Sequence, residues 1–332
     1  MNRQIQLVLS ILEVKHDSVS ISIAGDFGLD VFVHGSVNRI SPEAPVPVLL
    51  KEREEIRLGL AGNVIENLWA LREQFPSNLL SFGVHGPDEM GDILGQKVSE
   101  LSGSYLIQDH QRKTTVKTRY MSGNHQLLRM DDEDTKEMYG PVSWALFKSN
   151  AEDGEVDVLI LQDYAKGFLT KENITEFINI ANEKNVLIIS DPNVNSDPYN
   201  YARSTIITPN LQEAKKMLSK MGVLEYNDDY IIASILKREL DLKMVLITKG
   251  SNGMLLLDEN NEYYDFPALA KNTVDVTGAG DTIVASLALG LANGYSIVES
   301  CWLATGAASV VVQKQGTSTA TIEEIKRELQ NV

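Results

Sequence analysis

The segment from Asp275 to Asp281 (Asp-Val-Thr-Gly-Ala-Gly-Asp) places a carboxylate directly after a run of small residues. It follows a strand-like stretch and precedes an apolar helix pattern, which puts Asp281 in the first helical turn. The small residues Gly278, Ala279 and Gly280 let backbone N–H groups approach an anion closely, and the helix N-terminus adds a favourable dipole. The pattern favours phosphoryl transfer, in which Asp281 takes the proton of an alcohol. From spacing alone, a helix cap beside a tight turn is an open alternative.

Four further positions carry polar side chains suited to a sugar or a nucleotide. Asp30 is expected at the end of the first strand, where a carboxylate can accept two sugar hydroxyl hydrogen bonds, although loop capping is an alternative. Asn63 opens a predicted helix, so sugar binding and helix capping explain it equally well. Asn210 and Glu213 are three residues apart after Pro209, which is the spacing of a capping box, and a ligand role can coexist with it.

The charge of the chain limits what it can bind. Thirty Lys and Arg residues against 46 Asp and Glu give a net charge of −16, which argues against general nucleic-acid binding. An anionic ligand would therefore need positive groups close by. Lys117 and Arg119 share one face of a predicted strand, a geometry suited to clamping a phosphate. Arg129 and Lys166 are further candidates, and an ordinary surface role is the alternative for all four.

Apolar runs and helix patterns alternate along the chain, which predicts βαβ units, a mostly parallel sheet and helices on both faces. The predicted strands are Ile21–Ala24, Leu79–Val84, Val156–Leu161, Val186–Ile189, Thr205–Thr208, Met244–Thr248 and Met254–Leu257. The predicted helices are residues 3–14, Asn63–Glu73, Gly91–Leu101, Lys171–Glu183, Gln212–Met221 and Tyr230–Leu240.

Two stretches break this alternation. Val31–Arg57 is rich in β-formers, but its three prolines exclude a central strand. Thr114–Met130 alternates like an antiparallel hairpin with a turn near Gly123. We interpret the two stretches, approximately residues 31–58 and 112–131, as a small β lid over the carboxyl edge of the sheet, where ligands bind in open α/β folds.

Composition indicates one globular domain over residues 1–332, without repeats or linkers. The single cysteine, Cys301, excludes a disulfide framework, and the five histidines lack metal-ligand spacing. A reducing cytoplasm is expected, because neither a signal peptide nor a membrane helix is evident.

The run Asp275–Asp281 resembles the C-terminal signature of the ribokinase-like (PfkB) carbohydrate kinases. The likeness extends over roughly residues 20–330 and implies a three-layer α/β/α sandwich with a mostly parallel sheet and a β lid. Further matching segments are Ala24–Asp30, Gly59–Asn63, Asn210–Glu213 and Thr248–Gly250.

The resemblance assigns roles to the candidate residues. Asp281 would be the base, with Gly278, Ala279 and Gly280 as the anion hole. The sugar would contact Asp30, Gly59, Asn63, Lys117, Arg119, Arg129 and Lys166. ATP would contact Asn210, Glu213, Thr248 and Gly250. Glu213 would hold Mg²⁺ through water. Asp275 and Thr277, with Gly316 and Ser318 from a later loop, would help to build a K⁺ site, and the lid would form a homodimer.

Within this family, four segments resemble the kinases that phosphorylate D-glycero-D-manno-heptose 7-phosphate at O1, whose product feeds ADP-heptose and lipopolysaccharide synthesis. They are Arg39–Val48, Gln126–Asp131, Asp163–Gly167 and Gly316–Thr319. Some relatives carry a fused nucleotidyltransferase domain. The chain ends at Val332 without a His-x-x-His or His-x-Gly-His element, so that second activity is not expected.

Two positions depart from the family pattern and bear on which sugar is bound. Leu60 replaces the second glycine of a Gly-Gly pair, and Gly123 stands where the lid often has an arginine. The alternatives are another PfkB-type sugar or nucleoside kinase, or a non-catalytic sugar-nucleotide sensor on the same fold. A dehydrogenase ranks last, because no Gly-x-Gly-x-x-Gly follows the first strand.

Overall fold

Two sheets organise the chain, and the computed structural model describes residues 3–138, 140–223 and 226–332. The elements in chain order are α1 (Arg3–Ile11), β1 (Val19–Gly25), β2 (Phe27–Ile40), β3 (Pro47–Leu60), α2 (Ala61–Ala70), β4 (Ser77–His85), α3 (Glu89–Leu101), β5 (Gly103–Gln108), β6 (Thr115–Ser122), β7 (His125–Asp132), α4 (Pro141–Glu152), β8 (Val158–Gln162), α5 (Lys171–Glu183), β9 (Leu187–Asp191), β10 (Ile206–Ile207), α6 (Leu211–Lys220), α7 (Asp229–Glu239), β11 (Met244–Thr248), β12 (Met254–Leu257), β13 (Tyr263–Phe266), α8 (Ala279–Ala292), α9 (Ile297–Val311) and α10 (Ile322–Gln330). Short 3₁₀ helices span Pro198–Tyr201 and Gly250–Asn252.

The larger sheet has nine strands in the order β13-β12-β11-β10-β9-β8-β1-β4-β5. Its pairs are parallel except for the two that involve β12. Successive side chains of a strand point to opposite faces. In β8, Val158 and Ile160 enter the core beneath α2, α8 and α9, whereas Leu159 and Leu161 enter the core beneath α4 to α7. Helices on both faces explain why such strands are continuously apolar.

The smaller sheet has four strands in the order β3-β2-β6-β7 and forms the lid. Its β2–β6 pair is parallel and the other two pairs are antiparallel. Pro42 and Pro45 fall between β2 and β3, where no ladder bond is needed. The predicted hairpin is present, and Gly123 takes a positive φ of 56° in its turn. All residues of β7 are exposed, so β7 is an open edge of this sheet.

The three-layer α/β fold class with a separate small sheet is confirmed. The expected position of Asp30 was wrong: β1 ends at Gly25, and Asp30 lies within β2, in the lid. The chain leaves one sheet and enters the other with only Asp26 between them, and the Asp26 carboxylate accepts hydrogen bonds from the loop after β8. Within the described ranges, no helix has the length and apolar character needed to cross a membrane.

Candidate active site

Two glycines, Gly278 and Gly280, leave space beside the backbone at the N-terminus of α8. Gly278 precedes the helix with φ 81° and ψ 1°, a left-handed conformation that glycine adopts without strain. A β-carbon at Gly278 would lie 2.5 Å from Nδ2 of Asn63, so a larger residue would not fit there. Beside Gly280, no atom of the described residues lies within 4 Å of the equivalent position. An anion can therefore approach the backbone at this helix end.

The carboxylate of Asp281 is held by three side chains, one from α2 and two from the end of β8 and the loop after it. Its Oδ2 accepts a hydrogen bond from Nδ2 of Asn63 at 2.8 Å. Its Oδ1 accepts from the hydroxyl of Tyr164 at 2.5 Å and from Nε2 of Gln162 at 3.1 Å. Asp281 is 5% exposed, and these donors satisfy a carboxylate that burial would otherwise destabilise.

The surroundings of Asp281 raise the pKa of its carboxyl group toward neutral pH. Burial raises the pKa of Asp281 from 3.8 to about 6, against the hydrogen bonds from Tyr164 and Asn63, which lower it. The negative charge of Asp30 raises this pKa and the positive charge of Lys117 lowers it. A carboxylate with a pKa near 6 is ionised at pH 7 yet basic enough to accept a proton.

The lid contributes charged groups to the same place. Nη1 of Arg119 donates to Oδ1 of Asp30 at 2.6 Å, and both side chains are nearly buried. Phe32 lies beneath Arg119, with 5.2 Å between the guanidinium carbon and the ring centre. A β-carbon at Gly59 would lie 3.1 Å from Cγ of Asp30, so glycine leaves this carboxylate its space.

Two of the other predicted cations are Lys117, in the lid strand β6, and Lys166, in the loop after β8. Nζ of Lys117 lies 5.7 Å from the ring centre of Tyr164, and burial lowers the pKa of Lys117. Nζ of Lys166 forms an ion pair with Glu133 at 2.8 Å. The positive charge of Lys166 also lowers the pKa of Lys117, so the structure brings these two side chains near each other.

Arg129 has a different setting. It pairs with Arg119 in the β6–β7 ladder, but its side chain is half exposed. Its guanidinium forms hydrogen bonds to Asp131 at 2.9 and 3.0 Å. Among the described residues, no hydrogen bond joins Arg129 to Asp30 or Asp281.

The predicted nucleotide residues gather on the other side of α8. Asn210 and Glu213 form the capping box at the start of α6, with bonds of 2.9 and 2.8 Å. Asn210 also pairs with Thr248 in an isolated bridge. Thr248 and Gly250 line a cavity of about 230 Å³ that reaches α8. Its other lining residues are mostly small or apolar and include Gly253, Met254, Pro267, Leu269, Val276, Ala279, Gly280 and Ile283. A mostly apolar cavity with a few polar groups suits a nucleobase.

Asp275 organises the loop before α8. It accepts hydrogen bonds from the backbone N–H of Thr277 at 2.9 Å, from its hydroxyl at 2.7 Å and from the N–H of Gly316 at 3.0 Å. Burial alone would raise the pKa of Asp275, but these donors outweigh it and hold the pKa below its usual range. The carboxylate and hydroxyl are oxygen donors of the kind that hard cations prefer. In the described part of the chain, no cluster of three or more His, Cys, Asp or Glu residues could hold a metal.

Both departures from the family pattern, Leu60 and Gly123, have a positive φ. Leu60 sits at the junction of β3 and α2 with φ 55° and ψ −133°, a strained conformation for a residue with a side chain. Its side chain is buried and packs near Gly28 at the base of the lid. No atom of the described residues lies within 4 Å of a β-carbon placed on Gly123, which occupies the hairpin turn.

Sequence reasoning missed three residues at this site. Gln162 ends β8 and Asp191 ends β9, and both are polar residues at the carboxyl ends of buried strands. That position was the available signal, because ligands bind at this edge of an α/β sheet. Burial, followed by the charges of Asp281 and Glu213, raises the pKa of Asp191 to about 7.

The third missed residue, Asp26, supports the loop after β8. Its carboxylate accepts backbone hydrogen bonds from Tyr164, Lys166 and Phe168 at 2.9 to 3.1 Å. Burial raises the pKa of Asp26 to about 6, and the charge of Asp163 adds to that effect. Asp26 therefore fixes the loop that delivers the hydroxyl of Tyr164 to Asp281.

Comparison with known proteins places this architecture among sugar kinases. Residues 39–324 match the family described as pfkB family carbohydrate kinase. The chain is 42% identical over 308 residues to the bifunctional protein HldE of Caulobacter sp. (strain K31), covering 92% of this chain and 62% of that protein. It is 39% identical over 313 residues to the bifunctional protein HldE of Helicobacter hepaticus, covering 93% of this chain and 63% of that protein. The chain thus spans less than two thirds of the length of these relatives.

Solved structures share the fold at low identity. Phosphofructokinase-2 from Escherichia coli, in complex with potassium, matches with a TM-score of 0.75 and 16% identity, covering 94% of this chain and 98% of that one. Ribokinase from Arabidopsis thaliana, complexed with ribose and ATP, matches with a TM-score of 0.72 and 17% identity, covering 95% of this chain and 99% of that one.

Proposed function

This chain belongs to the pfkB family of carbohydrate kinases, and on that basis we propose that it transfers the γ-phosphoryl group of ATP to O1 of D-glycero-D-manno-heptose 7-phosphate. The observation that carries the proposal is the position of Asp281. Its carboxylate lies beside the charged lid residues on one side and the open N-terminus of α8 on the other. A base between an alcohol site and a phosphate site is what phosphoryl transfer requires.

The choice of a heptose phosphate rests on the resemblance of four segments, including Arg39–Val48 and Asp163–Gly167, to kinases of that substrate. The identity of about 40% to HldE proteins supports the same choice. The product would enter ADP-heptose synthesis for lipopolysaccharide.

The transfer step assigns a role to each group. Asp281 takes the proton of the O1 hydroxyl as the bond from O1 to the γ-phosphorus forms. The bond from that phosphorus to its bridging oxygen breaks, and ADP leaves. The N–H groups of Gly280 and Asp281 stabilise charge on the moving phosphoryl group. The N–H of Ala279 already donates to the carbonyl of Val276 at 3.2 Å, so it contributes less.

The cations of the lid side neutralise the sugar phosphate. Lys117, Arg119 and Lys166 supply local positive charge in a chain whose net charge is −16. Arg119 also fixes Asp30, which accepts hydroxyl hydrogen bonds from the sugar. Arg129 would join this set only if its pairing with Asp131 were exchanged for the substrate.

Two cations belong to this proposal. Mg²⁺ would be held through water by Glu213, whose pKa burial raises, and it would neutralise phosphate charge when bound. K⁺ would lie near Asp275 and Thr277, whose oxygens are gathered before α8. In both places the available donors are oxygens, which fits hard cations.

The proposal includes a homodimer formed through the lid. Leu128 and Met130 of β7 are about half exposed, and so are Ile40 and Leu50 of the same sheet. An open strand edge with apolar side chains favours pairing with a second chain.

A coupled ADP-release assay with purified protein tests the proposed reaction. The acceptors are heptose 7-phosphate, fructose, ribose and adenosine, each with ATP and Mg²⁺. Turnover should be highest with heptose 7-phosphate. Preference for another acceptor would reassign the substrate within the family, and absence of sugar-dependent ADP release would favour a sensor over an enzyme.

A further inference from the structure

Gln162 connects the base of the site to a second buried carboxylate. Its side chain is fully buried at the end of β8. Nε2 donates to Oδ1 of Asp281 at 3.1 Å and to Oδ2 of Asp191 at 2.6 Å. Gln162 and Asp191 are register partners in the β8–β9 ladder, so the sheet itself sets their separation.

The amide of Gln162 is locked in this orientation. Oδ1 of Asp191 accepts from the hydroxyl of Thr208 at 2.9 Å, which leaves Oδ2 for Gln162. The other amide atom, Oε1, is buried without a partner among the described residues. A reversed amide would place this oxygen against two carboxylates, whereas the observed orientation gives each carboxylate an N–H donor.

We propose that Gln162, anchored by Asp191, is a positioning residue that sets the rotation of the Asp281 carboxylate for proton transfer. The inference rests on the proposed role of Asp281 as base. It assigns Gln162 and Asp191 no contact with the substrates. Their effect on the reaction passes through the direction in which Asp281 presents its oxygens.

The two residues act on Asp281 in different ways. The N–H of Gln162 stabilises the ionised carboxylate of Asp281, so its loss should raise the pKa of that group. Asp191 has the higher pKa of the two carboxyl groups, so it is already largely protonated at the pH where Asp281 titrates, and replacing it by the neutral Asn should leave the pKa of Asp281 nearly unchanged. The other groups that face this pair are Asp30, Lys117, Tyr164 and Glu213.

Three full-length variants separate these effects. Gln162→Met keeps the approximate volume and removes both hydrogen bonds. Asp191→Asn keeps the shape, can still accept from Gln162 and removes the charge. Asp163→Asn is the matched control, because Asp163 is also a buried acid after β8 but its partners are Tyr201, Ser196 and the N–H of Ala165.

The readouts are kcat, the KM for ATP and the pH profile of kcat/KM. For Gln162→Met we expect kcat to fall roughly ten-fold, the KM for ATP to stay unchanged and the acidic limb to move to higher pH. For Asp191→Asn, which keeps the acceptor for Gln162, we expect kcat and the acidic limb to stay close to the wild type. For Asp163→Asn we expect the limb to stay where it is. A shift in Asp191→Asn or in Asp163→Asn as large as the shift in Gln162→Met would overturn the proposal.

A second measurement tests the effect of Gln162 on Asp281 without relying on the kinase reaction. Infrared titration of ¹³C-labelled aspartate carboxylates, with Asp281 identified by its loss in Asp281→Asn, reports the pKa of that group without any substrate. A higher pKa of Asp281 in Gln162→Met, with little change in Asp191→Asn, would support the coupling even if no sugar were phosphorylated. Unchanged titration in both variants would reject the coupling even if the kinase reaction were established.

Discussion

The side-chain amide of Asn63 donates a 2.8 Å hydrogen bond to Oδ2 of Asp281, and it joins α2 to the first turn of α8. Helix α2 begins at Ala61, directly after the lid strand β3. The carboxylate of Asp281 is therefore tied, through one short helix segment, to the smaller sheet.

Asp281→Asn should remove most of the turnover. The amide cannot accept the proton of the sugar hydroxyl, and loss of a general base commonly costs about 10²–10⁴ in rate. ATP should bind with nearly unchanged affinity, because the cavity lined by Thr248 and Gly250 lies on the other side of α8. ADP release and calorimetric ATP titration measure the two properties, and turnover near the wild-type value would contradict the assignment.

The activity of the wild-type protein should fall on the acidic side of neutrality. The pKa of Asp281 is raised to about 6, and only the ionised carboxylate can accept a proton. The value of kcat/KM should therefore decline progressively as the pH falls through about 6. A profile measured from pH 5 to pH 8 with saturating Mg²⁺ checks this. Full activity at pH 5 would show that Asp281 keeps an ordinary carboxyl pKa.

Gly278→Ala should impair catalysis more than it impairs folding. The substitution introduces a left-handed alanine, at a cost of about 1–2 kcal/mol. It also places a β-carbon 2.5 Å from Nδ2 of Asn63, which must move away from Asp281. Urea unfolding and kcat together test this expectation.

Gly294→Ala is the matched control for that substitution. Gly294 has a similar φ of 76°, but no atom of the described residues lies within 4 Å of a β-carbon placed there. Both variants should lose similar stability, and only Gly278→Ala should lose most of its turnover. Equal turnover in the two variants would show that the position of Asn63 does not affect the base.

Position 60 should prefer glycine to alanine. Leu60 has φ 55° and ψ −133°, and strain of this kind costs about 1–3 kcal/mol for a residue with a β-carbon. The free energy of unfolding of Leu60→Gly should therefore exceed that of Leu60→Ala by this amount. At Leu58, a buried strand residue nearby, alanine should be the more stable of the two. The same order at both positions would mean that the backbone at Leu60 is not strained.

Leu128→Glu should convert a lid-mediated dimer into a monomer. A charge on the exposed edge strand β7 would have to be buried against the second chain. Light scattering measures the mass of wild type and variant at equal concentration. The control Leu7→Glu makes the same substitution at an exposed leucine of α1 and should leave the dimer intact. A monomeric wild-type protein would remove the dimer from the proposal.

Apolar periodicity was enough to predict the alternating architecture, because strands such as β8 and β11 are buried on both faces and helices lie between them. It did not predict β5, whose residues are exposed or half-buried, or β13, where only Phe266 is buried. Helix α4 was also missed, since few of its residues are buried and no apolar stripe marks it. Partial burial weakens the pattern on which such predictions depend.

The candidate site could be predicted where its residues lie next to one another in the sequence. Asp281 and the glycines before it are adjacent in sequence, so their relationship could be read directly. Gln162 and Asp191 come together only through strand register, and Asp30 was assigned to the wrong strand because one residue separates the two sheets. Contacts that depend on sheet order have no signature in a single sequence.

Two connections, from β1 to β2 and from β3 to α2, join the lid to the rest of the molecule with almost no loop residues. Only Asp26 separates β1 from β2, Leu60 passes directly into α2, and the N–H of Ala61 donates to the carbonyl of Asp26 at 3.0 Å. A change in the tilt of the smaller sheet must be absorbed at these two adjoining pivots. One pivot holds the loop of Tyr164 and the other leads to Asn63, so any tilt of the smaller sheet also shifts two of the side chains that hold the Asp281 carboxylate.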